Sequence, residues 1–186
     1  MSELRRVDAR ANRSRILDVA EEVFGRGGAA ASTEEVARLA GVGIATVFRH
    51  YPTKAALLEA VLVRRFDRLR EKAEATLDAA DPGTAFFEFF GYLVADAATK
   101  IAIGEALLDA GGHGEGAAAR ASTGLRRAFG ALLDRAQRSG AVRDDVELPE
   151  VYALLVGASR AAAQGQLDEE VRVRMLAILF DGLRSP

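Results

Sequence analysis

The side chains best equipped for covalent or metal chemistry are scarce in this chain. It has no cysteine and two histidines, His50 and His113. Without thiolates there is no disulfide, no cysteine nucleophile and no cysteine-ligated zinc or iron–sulfur centre. Two histidines leave little for a histidine metal centre or a serine hydrolase. Three fragments approach catalytic or nucleotide-binding patterns, and each fails on a specific residue. Gly41-Val42-Gly43 lacks the third glycine and the preceding strand of a dinucleotide fingerprint, and Gly111–Gly116 lacks the Lys-Ser/Thr of a phosphate-binding loop. Gly157-Ala158-Ser159-Arg160-Ala161 lacks the closing glycine of a nucleophile elbow and falls mid-helix. His113 sits in the run GGHGEG and reads as a loop histidine. No catalytic residue, metal site or cofactor is expected, and no enzyme activity.

Recognition is the chemistry that remains. In the run Ile44–His50, helical geometry with Val47 turned inward leaves Ile44, Ala45, Thr46, Phe48, Arg49 and His50 partly or wholly outward. That set combines apolar contacts suited to thymine methyls (Ile44, Ala45, the Thr46 methyl) with donors (Thr46, Arg49, His50). Thr33 and Lys54, each at a helix start, can reach phosphates with side chains and backbone amides together.

These residues need two short helices meeting at a steep angle. Such a pair wants a small residue at the contact, a flexible residue in the turn and an apolar residue beyond it. Ala37, Gly41 and Val47 supply these at a spacing of four and then six, with Val36, Leu39 and Val42 filling the interior. This is the helix-turn-helix pattern, whose second helix, starting near Gly43, would enter the major groove. Two amphipathic helices merely packed in a bundle would not explain an outward Ile44 beside Arg49.

The rest of the chain also reads as helix, because period-two β-branched runs are absent and only four prolines occur. A first helix over about Ala9–Arg26 places Ile16, Leu17, Ala20, Val23 and Phe24 on one stripe. Ser32 or Thr33 caps a second helix over about Thr33–Ala40; with Thr33 at the cap, Val36 and Ala37 fall just inside it. A third helix runs from about Gly43 to Tyr51, Pro52 breaks it, and Thr53 caps a long fourth. Asp81-Pro82-Gly83 marks the clearest boundary, followed by helices near 83–96, 99–110, 117–139, 150–165 and 168–184.

Charge is unevenly distributed. Residues 1–72 hold 14 Lys/Arg against 10 Asp/Glu, a net +4, while residues 73–186 hold 11 against 17, a net −6. The first 16 residues alone carry Arg5, Arg6, Arg10, Arg13 and Arg15. A basic head on an acidic body suggests that only the head meets a polyanion. No stretch approaches the roughly 18 apolar residues of a membrane span, and MSELRRVDARANRSR lacks the apolar segment of a secretory signal. A cytoplasmic, soluble protein is expected.

Residues 12–63 resemble the N-terminal DNA-binding module of the TetR family of transcriptional repressors. The resemblance lies in RILDVAEEVFGRGG and STEEVARLAGVGIATVFRHYPTKAALLEAVL, the second in register and without gaps. It implies that Thr33, Gly43, Ile44, Ala45, Thr46, Phe48, Arg49, His50 and Lys54 line the operator. One position departs: Phe48 stands where relatives often carry a tyrosine whose hydroxyl binds phosphate. Tyr51 is expected in the module's core.

For the remainder the resemblance implies a helical regulatory domain, with a ligand cavity inside helices four to seven and dimerisation through the last two helices. Phe86, Phe87, Phe89, Phe90, Tyr92 and Leu93 cluster just after the boundary and could line a pocket for an apolar or aromatic ligand, or fill ordinary core. Asp96, Thr99 and Tyr92 could supply polar contacts to a ligand. Helix eight offers Val151, Leu154, Leu155, Gly157, Ala158 and Ala161; helix nine offers Val171, Met175, Leu176, Ile178, Leu179, Phe180 and Leu183. Together they present more apolar surface than one subunit easily covers.

The expectation is an all-α chain of about nine helices, with a three-helix DNA-binding module over residues 1–54 and a regulatory, ligand-binding and dimerisation domain over residues 55–186. Functionally it reads as a homodimeric repressor released from a palindromic, double-stranded DNA operator by an unidentified small molecule, with no membrane partner. The alternatives are an activator, a ligand-independent repressor, or a helical adaptor that no longer binds DNA.

Overall fold

The computed structural model describes residues 2–112, 116–165 and 167–185, with side chains described from residue 11 onward. His113 and the side chains of Arg5, Arg6 and Arg10 lie outside the described residues. Among those described, nine α-helices follow one another: α1 (Ser2–Gly27), α2 (Thr33–Leu39), α3 (Ile44–His50), α4 (Lys54–Thr76), α5 (Pro82–Ala95), α6 (Ala97–Asp109), α7 (Ala117–Arg138), α8 (Leu148–Ala163) and α9 (Glu169–Leu183). A 3-10 turn over Gly28–Ala30 follows α1. Among the described residues, no helix is long and apolar enough to cross a membrane.

The helix ends follow local chemistry. α1 begins seven residues earlier than its apolar stripe requires, because Ser2–Asp8 contains neither glycine nor proline to stop it. Ser32, not Thr33, caps α2: its Oγ accepts from the Glu35 amide at 3.1 Å, while Thr33 is the first helical residue and is buried. Thr53 caps α4 as expected, with Oγ1 accepting from the Ala56 amide at 3.0 Å. Tyr51, held extended before Pro52, ends α3. α5 and α8 each take a proline into the first turn, where a missing amide hydrogen costs nothing. They therefore start one and two residues earlier than expected.

The Asp81 carboxylate caps α5, accepting from the Thr84 amide at 3.1 Å and from Thr84 Oγ1 at 2.7 Å. These bonds hold its pKa below the ordinary 3.8.

The chain divides into two compact units, residues 1–65 with 99–120 and residues 66–98 with 121–186. In the first, Ile16, Ala20 and Phe24 of α1, Val36 of α2, Val47 of α3, and Leu57, Leu58 and Val61 of α4 are all sealed from solvent. α1 and α4 are further tied by ion pairs, Arg64 with Asp18 and Arg65 with Glu21. Arg64 Nη1 also donates to the Ser14 carbonyl at 3.2 Å. Glu59 of α4 closes the start of α7, its Oε1 accepting from the Ala117 amide at 2.6 Å.

In the second unit, Phe86, Phe90 and Phe129 form the centre of a core that includes Leu132, Leu133, Val151 and Leu155. Rings lie 5.5 Å apart between Phe86 and Phe129 and 5.4 Å between Phe90 and Phe180, within the range of favourable aromatic pairs. Gly83 is needed where α5 starts, because a Cβ there would come within 2.5 Å of that of Ala141. The end of α9 is pinned to the α7–α8 loop, with the Arg143 amide donating to the Leu183 carbonyl at 3.0 Å.

Candidate nucleic-acid interface

The turn between α2 and α3 is built on backbone. The Gly41 amide donates to the Arg38 carbonyl at 3.2 Å and the Val42 amide to the Ala37 carbonyl at 3.1 Å. Gly41 has φ +65°, a left-handed conformation that penalises any residue with a Cβ, and an added Cβ would meet nothing within 4 Å. Glycine is required there by backbone geometry rather than by space. Gly43, exposed and extended, precedes α3, and its carbonyl accepts from the Thr46 amide at 2.8 Å.

α3 then presents one face to each environment. Val47 is wholly buried and Tyr51 nearly so. Tyr51 receives Arg13 Nε on its hydroxyl at 3.2 Å, with the guanidinium 5.9 Å from the ring centre. Ala45, Phe48 and Arg49 are exposed, while Ile44, Thr46 and His50 flank them half-buried. The burial pattern is that of a helix rotated so that 45 and 49 oppose 47. Arg49 Nη2 lies 3.5 Å from Thr46 Oγ1, a weak restraint that leaves the guanidinium available.

Thr33 and Lys54 stand at the starts of α2 and α4, as expected, with their side chains engaged within the chain. Thr33 is 6% exposed, because the turn of α2 that carries Val36 and Ala37 inward carries the first residue with them. Lys54 donates through Nζ to the Ala29 carbonyl at 2.7 Å and lies 5.6 Å over the Phe24 ring. It is half-buried, fastening α4 to the end of α1.

The ligand-pocket candidates separate by helical phase. Phe86, Phe89, Phe90 and Leu93 recur at i, i+3, i+4 and i+7, and all four are buried in the second unit's core. Tyr92 lies off that stripe and is exposed, with Lys72 Nζ 3.7 Å from its ring centre, so it does not join them inside. Asp96 is half-buried at the end of α5.

Of the dimer candidates, Val151, Leu155 and Ala158 are consumed by the core of their own chain, and Met175, Leu176, Leu179 and Phe180 pack partly against it. Leu154 is exposed. The large apolar side chains left outward on α8 and α9 are Leu154, Val156, Val173 and Ile178. Ile178 is among the apolar residues expected to face a partner, whereas Val156 and Val173 are not; counting apolar residues along α8 and α9 does not reveal which helical face the core claims.

The sequence reading also missed the α1–α4 ion pairs. Their signal was present, since Asp18 and Glu21 are three apart on α1 and Arg64 and Arg65 adjoin on α4. Which helices would face each other was the missing information.

Comparison with known proteins places this geometry. Residues 16–61 match the family model of bacterial regulatory proteins of the tetR family. Residues 81–185 match the model of the C-terminal domain of SbtR-like transcriptional regulators. The chain is similar to a TetR transcription regulatory protein from Mycobacterium vanbaalenii at 38% identity and TM-score 0.78, covering 96% of this chain and 98% of that one. It is also similar to a TetR transcriptional regulator from Streptomyces coelicolor at 29% identity and TM-score 0.74, covering 93% and 98%. NemR of Escherichia coli, in its reduced form, shares the fold at 15% identity and TM-score 0.75, covering 94% and 99%. The comparison with curated proteins found no match. The chain belongs to the TetR family of transcriptional regulators, whose members bind DNA.

Proposed function

We propose that this chain is a homodimeric repressor that holds a palindromic operator through α3 and is released from it by a small molecule. Residues 1–54 form the DNA-binding domain and residues 55–186 the regulatory and dimerisation domain, with α4 joining them. The observation that carries the reading is the face of α3, where Ala45, Phe48 and Arg49 stand exposed opposite a fully buried Val47. An exposed aromatic and a guanidinium on that face offer an apolar contact and a donor to the base edges of a groove. Thr33, Gly43, Ile44, Thr46, His50 and Lys54 complete the DNA-facing set. For the buried Thr33, the contribution is its backbone amide at the start of α2. Lys54 reaches phosphate by leaving the Ala29 carbonyl.

Two copies joined through α8 and α9 would present two α3 helices to successive major grooves about 34–36 Å apart. Leu154 and the exposed Val156, Val173 and Ile178 support that pairing. The effector binds in the regulatory domain, where the candidates are Phe86, Phe89, Phe90 and Leu93 from the interior and Asp96 at the end of α5, with Tyr92 reachable only from the outer face of α5. It acts through α4. Because Arg64 and Arg65 fasten α4 to α1, displacing α4 moves the module and spoils the spacing. The effector's leverage equals its preference for the non-binding state.

A reporter gene behind the operator tests the sign of regulation. Expression of the chain should lower its output, and a rise in output would replace repression with activation.

A further inference from the structure

Phe48 is 41% exposed on α3, and neither hydrogen bonding nor phosphate attraction gives its ring a role. It has no donor and no acceptor, so it can gain from a partner only by leaving water. Ala45, three residues earlier, is its neighbour on the exposed face, and Arg49, also exposed, follows it in the chain. Ala45 keeps the middle of the face low, which lets a partner surface approach the backbone on which the ring is mounted. Arg49 beside it can meet an acceptor. The base edges of a major groove are almost wholly polar; their one apolar projection is the 5-methyl group of thymine.

Resting on the reading that α3 faces operator DNA, we infer that Phe48 is a specificity-determining residue that reads a thymine methyl, one in each half-site. The deoxyribose is the other apolar surface within reach of a groove-bound ring. It occurs at every nucleotide and would confer no preference, so the two are separable by experiment.

The test replaces thymines of the selected operator by deoxyuridine, one symmetric pair at a time. Deoxyuridine removes the methyl and keeps the base pairing. At one pair, binding by the full chain should weaken about fifteenfold, roughly fourfold for each methyl as expected for burial of one carbon. Phe48→Ala should bind the thymine operator more weakly than wild type and lose discrimination at that pair. Phe48→Leu should keep part of it. Both variants should melt as wild type does, because the side chain is exposed; should Phe48→Ala melt lower, Phe48→Leu carries the comparison. Tolerance of deoxyuridine at every position overturns the inference while leaving operator binding intact. So does a deoxyuridine loss that persists unchanged in both variants. Failure to bind any selected duplex overturns the operator reading, and this inference with it.

Discussion

Arg49 is the exposed guanidinium of α3, restrained only by a 3.5 Å approach to Thr46 Oγ1. A bidentate contact from such a group to a guanine edge contributes about 1–3 kcal/mol of discrimination. Arg49→Ala should therefore weaken operator binding and relax specificity at one base pair by about that amount; unchanged affinity and preference in a competition titration would remove it from the base-reading set. Lys54 poses the opposite case, since its ammonium already has a partner in the Ala29 carbonyl. If it exchanges that carbonyl for a phosphate, Lys54→Ala should flatten the log–log salt dependence of binding by about one unit of slope. An unaltered slope would leave it as a clasp on α1. At this scale the sequence was informative wherever helical phase decides: Val47 and Tyr51 inward, Ala45, Phe48 and Arg49 outward. It was uninformative where one residue of register decides, as between Ser32 and Thr33 for the cap. It was equally silent on Lys54, whose partner lies 25 residues away.

Elements carry the next set of consequences. The turn before α3 depends on Gly41 at φ +65° with open space around it. Gly41→Ala should thus cost only backbone strain, about 1–2 kcal/mol, read as a lower melting temperature; a neutral substitution would show that the turn relaxes. At the start of α5 the depressed carboxyl of Asp81 makes stability pH-dependent. A lowered folded-state pKa stabilises above the ordinary value of 3.8, and the contribution is lost as pH falls through the folded value. Melting profiles should therefore show Asp81→Asn below wild type by a constant margin above about pH 5, the two converging in acid. Parallel profiles throughout would dissociate the cap from the titration. Helix order and the break at Asp81-Pro82-Gly83 were legible because caps, prolines and glycines act within a few residues. The α1–α4 ion pairs and the Glu59 cap on α7 were not, because they join residues 44, 46 and 58 apart.

For the whole molecule, the question is what covers α8 and α9. Ile178 is 75% exposed and Val173 56%, an expense in a monomer that a partner copy would remove. Light scattering should give twice the 19.8 kDa of one chain, and Ile178→Glu with Val173→Glu should return it to one chain with little change in secondary structure. A wild-type chain of single mass would leave the pairing without support. Apolar surplus on these helices was legible from composition, but the face was not: Val151, Leu155 and Ala158 lie at the phase the aromatic core of α5 and α7 occupies. The most direct test of the account remains what DNA the chain chooses. Duplexes selected by the purified protein from random sequence should converge on an inverted repeat whose half-site centres lie about 10–10.5 base pairs apart, or a multiple of that, and the Arg49→Ala protein should enrich it less sharply. Enrichment of nothing, or of a sequence without two-fold symmetry, would contradict the claim that paired α3 helices read an operator.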